Sequence, residues 1–399
     1  MKKHILPTIV ISQFFCTSLW FAGNAIMDEL TSNFELGQTA LGSLTASVQF
    51  GFIIGTLIFA MLSIADRFSP SKVFFICAVL GAVFNISIIW EGNTYESILV
   101  FRFFTGFFLA GIYPIGMKIA ADYYEKKLGK SLGFLVGALV LGTAFPHLLK
   151  DVKGQLPWEI VLCITSFIAI LGGILMISLV PDGPHKKKSP KLNFSAIPKI
   201  FKKRQFRAAA FGYFGHMWEL YAFWAFVPVL LHRYSEMHAE TTFNIPLLSF
   251  LVIGIGSFAC VLGGYLAQKI EVKKVAFSSL LLSCVCCIIA PLMFFVESQE
   301  IFIGFILFWG MVVIADSPLF STLVAQHAPS ELKGTALTIV NCIGFSLTII
   351  SIQLINELKE LTNSPFILTI LALGPILGLI ALRKKANKTP TTIKQNSEN

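Results

Sequence analysis

Gly212-Tyr-Phe-Gly-His-Met-Trp-Glu-Leu-Tyr-Ala-Phe-Trp224 and Trp309-Gly-Met-Val-Val-Ile-Ala-Asp-Ser-Pro318 each place one carboxylate, Glu219 or Asp316, in an apolar run long enough to span a bilayer. A charge at bilayer depth costs at least about 2.5–3.5 kcal/mol. Such a residue faces a bundle interior or a wet cavity, and by default marks a path for ions, protons or substrate.

The rest of the chain is of the same kind. Of its 399 residues, 55% are hydrophobic and only 13% charged, with a mean hydropathy of +0.75. Soluble domains average about 25% charged residues, so there is too little charge here to coat a soluble globule. The formal charge of +9 does not point to nucleic acid, because the basic residues lie in short segments between apolar runs. The eight cysteines fall inside apolar stretches, and the one cluster, Cys284-Val-Cys286-Cys287, lacks the partners a four-ligand zinc site needs. They read as buried small hydrophobes, and no metal or cofactor is expected.

About 20 apolar residues cross a hydrocarbon core, and twelve segments qualify. They lie near 5–27, 40–64, 73–90, 97–117, 131–149 and 158–180, then 208–231, 244–267, 275–296, 299–325, 334–356 and 365–382. The first is too long for a signal-peptide core and has no convincing cleavage site, so it reads as a retained span. Segments on the side of the termini carry 26 of the 31 Lys and Arg, those on the other side 4, and Arg102 alone lies within a span. The excess belongs on the cytoplasmic side, so both termini are expected there, in the inner (plasma) membrane. The expected domains are a six-helix bundle over 1–180, a basic linker over 181–207, a second bundle over 208–382 and a tail over 383–399. Within the linker, Lys199 to Arg207, with Phe201 and Phe206, suits a short interfacial helix.

The halves repeat at an offset near 202. Leu62-Ser-Ile-Ala-Asp66-Arg67-Phe-Ser-Pro-Ser-Lys72 is echoed by Gly264-Tyr-Leu-Ala-Gln268-Lys269-Ile-Glu-Val-Lys-Lys274, and Gly106 and Pro114 recur as Gly310 and Pro318. Parallel repeats of six spans are a transporter architecture. The first loop resembles the major facilitator superfamily signature Gly-x-Leu-Ala-Asp-Arg-x-Gly-Arg-Lys through Ala65, Asp66 and Arg67, departing at Leu62, Ser69 and Pro70. Arg102 and Gly106 resemble the family's Arg-x-x-x-Gly element. The resemblance implies an all-α polytopic membrane protein, with twelve transmembrane helices in two pseudo-symmetric six-helix bundles around a central site. Stretches around His216, Asp316 and Asn341 are similar to a bacterial branch filed near nitrate and cyanate permeases, although the nitrate signature is absent.

Glu219 lies about 11 residues into its span, near mid-membrane, with His216 three positions earlier on the same face. Desolvation favours the protonated carboxyl and histidine titrates near neutrality, so these two form the expected proton carrier. Asp316, beside Pro318, is a second coupling acid or a support for the broken backbone. Arg102 would attract an anionic substrate, with Tyr113 on its stripe, and Asn24, Trp218, Tyr221 and Asn341 are further binding candidates. By resemblance, Asp66 and Arg67 would gate the cytoplasmic side, Asp66 pairing with the neighbouring half. No phosphate-binding loop or nucleophile with a plausible base appears, so neither ATP-driven transport nor an enzyme is expected. The sum is a monomeric, proton-coupled secondary transporter of a small solute, an organic anion or metabolite. Its alternatives are a multidrug or siderophore exporter and a non-transporting membrane sensor. The expected partners are substrate, protons and the lipid bilayer.

Overall fold

The computed structural model describes residues 4–37, 39–124, 128–151, 157–185, 192–362 and 364–383. The basic run Lys186–Lys188 and the tail from Lys384 lie outside the described residues. Among those residues there are helices and no strand. Eleven helices among the described residues are long and apolar enough to cross a membrane, and the shorter Ile5–Thr17 opens the first span. The chain is an all-α, multi-pass membrane protein with twelve spans in two pseudo-symmetric six-helix bundles.

Most spans fall close to their expected bounds, Ala40–Met61 and Trp158–Leu179 among them. The first does not run unbroken over 5–27. It stops at Thr17, turns through Ser18–Phe21, and resumes as Ala22–Ala25 and Met27–Asn33. The hydroxyls of Thr17 and Ser18 bond back to the carbonyls of Gln13 and Phe15 at 2.8 and 2.7 Å, a local competition that bends helices. The seventh span is longer than expected, Arg204–Met237, and takes in the end of the expected interfacial helix. What remains of that helix is Ile197–Lys202, divided from the span by extended Lys203 and tied back to it by edge-on packing of Phe201 on Phe206. Cys163 is exposed, unlike the other seven cysteines, and all eight are free.

The repeat seen in sequence is a repeat of packing. A methyl added to Gly106 of the fourth span would collide with the Val48 carbonyl of the second, and one added to Gly310 of the tenth would collide with the Val252 carbonyl of the eighth. Small residues let backbones meet in lipid, where no hydrophobic force drives helices together. Eight residues after each glycine comes the proline, and each helix breaks just ahead of it. The fourth span divides into Tyr95–Leu109 and Tyr113–Tyr123, and the tenth into Gln299–Ala315 and Ser317–His327, because proline cannot complete the preceding turn.

Gly106→Ala and Gly310→Ala should each destabilise the detergent-solubilised protein by about 1–3 kcal/mol through overpacking. Gly304→Ala, whose methyl meets open space, should not lower stability, because alanine favours a helix. Thermal unfolding followed by tryptophan fluorescence checks all three; equal effects at the three sites would contradict the packing account.

Candidate functional site

The i, i+3 spacing does put Glu219 and His216 on one face of the seventh span, yet they take different partners. Glu219 is 1% exposed and accepts hydrogen bonds from Trp309 Nε1 of the tenth span at 2.6 Å and from Ser283 Oγ of the ninth. His216 turns instead to Asp316, its Nδ1 lying 2.8 Å from the carboxylate Oδ1. That contact lies off the line a hydrogen bond requires. Neither ring nitrogen of His216 and neither oxygen of Asp316 has a hydrogen-bond partner among the described residues. The expected Glu219–His216 couple is therefore redrawn: the buried titratable pair is His216–Asp316, bridging spans seven and ten. Asp316 stands at the break of the tenth span, where its carbonyl accepts from the amides of Leu319 and Phe320.

Arg102 is 1% exposed and points at the broken first span. Its guanidinium donates to the carbonyls of Leu19 (3.2 Å) and Trp20 (2.5 Å) and to Asn85 Oδ1 of the third span (3.3 Å). Carbonyls released by an interrupted helix need donors where there is no water, and Arg102 supplies them. Asn85 continues the network to Thr165 and Ser166 of the sixth span.

The remaining expected residues separate into a centre and a periphery. Tyr221 stacks on Trp20 at 5.7 Å and contacts Phe345 at 5.2 Å, joining Phe52 in an aromatic cluster that spans the two halves. Tyr213 donates to Asn341 Oδ1 at 2.8 Å, and Tyr113 lies near enough to interact with Tyr213 and Tyr221. Trp218 faces the twelfth span, donating to the Ile370 carbonyl at 3.0 Å. Asp66 pairs with Lys118 of its own half at 2.8 Å, not with the neighbouring half, and Arg67 is exposed.

Above the aromatic cluster, one helical turn along the seventh span from Tyr221, a cavity of about 880 Å³ opens between the halves. Its mouth is formed by Asp28, Glu29, Thr31, Gly37, Lys150, Arg233 and Lys359, all on the face away from the termini. Asn24 reaches its wall, with its amide nitrogen bonded to Thr45 Oγ1 at 2.8 Å. Of its three buried polar lining residues, two were not singled out from sequence, His147 of the fifth span and Ser249 of the eighth. His147 did carry a signal, a titratable ring next to Pro146 inside a span. Ser249 carried none.

Two six-span halves, interrupted helices and a cavity between them define a membrane transport fold. The chain belongs to the Major Facilitator Superfamily, whose family model matches residues 9–352. Among curated proteins it is 23% identical over 281 residues to Uncharacterized protein Cj0987c of Campylobacter jejuni, covering 67% of this chain and 82% of that one. Two solved structures share the fold at 14% identity. The nucleoside transporter NupG has a TM-score of 0.71, with 95% of this chain and 100% of that chain covered. A bacterial homologue of the human lysosomal transporter Spinster, inward-facing and unoccupied, has a TM-score of 0.66, with 96% and 95% covered.

Arg102→Leu should leave two buried carbonyls without donors, at about 1–3 kcal/mol each, and Arg102→Lys should recover part of the loss. Thermal unfolding in detergent measures both. Unchanged unfolding together with lost solute binding would return Arg102 to the role of a substrate anchor.

Proposed function

We propose that the chain is a proton-coupled secondary transporter of small solutes in the inner (plasma) membrane, with both termini cytoplasmic. It works as a monomer by alternating access of two rocking halves, residues 1–180 and 208–382, joined by the linker 181–207. The 26-to-4 distribution of Lys and Arg supports the orientation. On that orientation the cavity opens outward and the state described is the outward-facing one. Behind the aromatic cluster, the fifth span packs on the eighth and on Ser317–His327.

The observation that carries proton coupling is the His216–Asp316 pair. Two titratable groups lie in contact, each about 1% exposed, so one proton changes the net charge buried there. In a low dielectric, an uncompensated charge left by breaking such a pair destabilises its surroundings by about 3–5 kcal/mol. Asp316 precedes the segment Ser317–His327, which touches the fifth span of the other half. Protonation at the pair thus acts on an element lying between the halves. Glu219, held by two fixed donors, serves as the anchor of its half. The anionic-substrate expectation rested on Arg102, whose donors serve the first span, so the charge of the solute is read from the cavity instead.

In vesicles holding a pH-sensitive dye, Asp316→Asn and His216→Ala should abolish solute-dependent proton flux and leave solute exchange at half or more of the parent rate. Glu219→Gln should lower thermal stability and retain coupling in the fraction that folds. Coupled flux surviving in Asp316→Asn would move the proton carrier elsewhere.

A further inference from the structure

Every fixed charge on the cavity wall sits at the mouth, and several are already matched there. Lys150 pairs with Glu29, Asp151 accepts from Asn244, and Arg233 lies 3.3 Å from Glu236. One turn deeper than Lys150 the wall is polar but uncharged. His147 and Ser249 are 3% and 0% exposed, and His147 Nε2 and Ser249 Oγ have no hydrogen-bond partner among the described residues. Buried polar groups in native proteins are almost always bonded, so each such exception needs an explanation.

The two lie close together. The fifth and eighth spans run antiparallel, with Gly133 against Cys260, Gly137 against Ser257 and Gly254 against Ala144. Continuing that register toward the mouth brings His147 level with residues within a turn of Ser249. The short helix Ala22–Ala25, which carries Asn24, packs against the fifth span. The amide nitrogen of Asn24 is spent on Thr45, which leaves its Oδ1 as the acceptor it can turn to the cavity.

We propose that Asn24, His147 and Ser249 form the solute-binding floor of this cavity, and that the solute is an uncharged molecule rich in hydroxyl or amide groups. The inference rests on the transport reading and adds the substrate class to it. The floor offers a hydroxyl that donates and accepts, an imidazole and an amide oxygen that accepts. An anion or cation seated there would be desolvated with no opposing fixed charge beside it, a cost that buried ions meet only by pairing. A molecule with several O–H or N–H groups satisfies the floor without that cost. About 880 Å³ is room for a solute of metabolite size.

The test is thermal stabilisation of the purified full chain in detergent, with no pH gradient. The neutral probes are sorbitol, glucose, uridine and adenosine, the anions succinate, lactate and benzoate, and the cations choline and tetraethylammonium. At least one neutral probe should raise the unfolding temperature in a saturable way, and the charged probes should not. Ser249→Ala and His147→Ala should each weaken that binding about fivefold to tenfold, the worth of one lost hydrogen bond. Phe258→Ala, at a side chain 76% exposed on the outer surface of the eighth span, should leave it unchanged. Stabilisation by charged probes alone, by no probe, or undiminished in both variants overturns the proposal. Binding that follows this pattern without any solute-dependent proton flux in vesicles would leave the floor standing and remove the coupling.

Discussion

No water reaches the hydrocarbon core, so every polar group folded into it must find its partner within the protein. The Arg102 guanidinium meets that constraint most sharply. The first span is interrupted at Ser18–Phe21, and the carbonyls it frees would oppose burial if nothing reached them. Arg102 arrives from the fourth span and, through Asn85, engages the third. One side chain thereby fixes spans one, three and four to each other. In the second half the same trio, spans seven, nine and ten, is fixed by Glu219 through Ser283 and Trp309. The knot is tied by an acid in place of a base and from a different member of the trio, so pseudo-symmetry preserves the knot and not the residue.

Contacts between the halves are of another kind. Gly133 and Gly137 lie against the carbonyls of Cys260 and Ser257, so close that an added methyl would crowd them, and Phe52 meets Phe345 at 4.5 Å between ring centroids. Dispersion contacts of this sort lose little when surfaces slide by a fraction of an ångström, whereas a hydrogen bond weakens steeply as its angle falls. Polar ties across the halves, Asn244 to Asp151 and Asn356 to the Thr39 carbonyl, sit at the outer rim. Directional bonds thus concentrate inside each half, and smoother contacts lie between them.

Much of this was legible in the sequence. Apolar length gave the spans, and Pro318 marked the break in the tenth, because proline chemistry is local; the matching break ahead of Pro114 was not read from the repeat. The break in the first span was not legible, since Ser18-Leu-Trp-Phe21 contains neither proline nor glycine and is held open by a residue some eighty positions away. The partners of the charges were hidden for the same reason. Spacing placed Glu219 and His216 on one face, but which neighbouring span meets each of them depends on tertiary packing. Arg102 looked like a substrate anchor because a lone cation in a span invites that role, and the carbonyls that occupy it appear only once the first span is seen to bend. Ser249 was invisible because serine is common in spans and only its lack of a partner distinguishes it.

The two carboxylates thus differ by what surrounds them. Glu219 accepts from Trp309 and Ser283, with the Cys287 thiol also against it, so its surroundings are set by packing. Asp316 has His216 across from it, in contact without a hydrogen bond, and a helix interruption behind it, so its environment is less complete. Phe320, one turn beyond Asp316, packs over His216 at 6.2 Å and against Gly212 of the seventh span. A shift in the pair therefore presses on the Ser317–His327 segment through its own first turn, and that segment is the part of the tenth span that reaches the other half. The buried His216–Asp316 contact and the segment that reaches the other half thus meet at this one break.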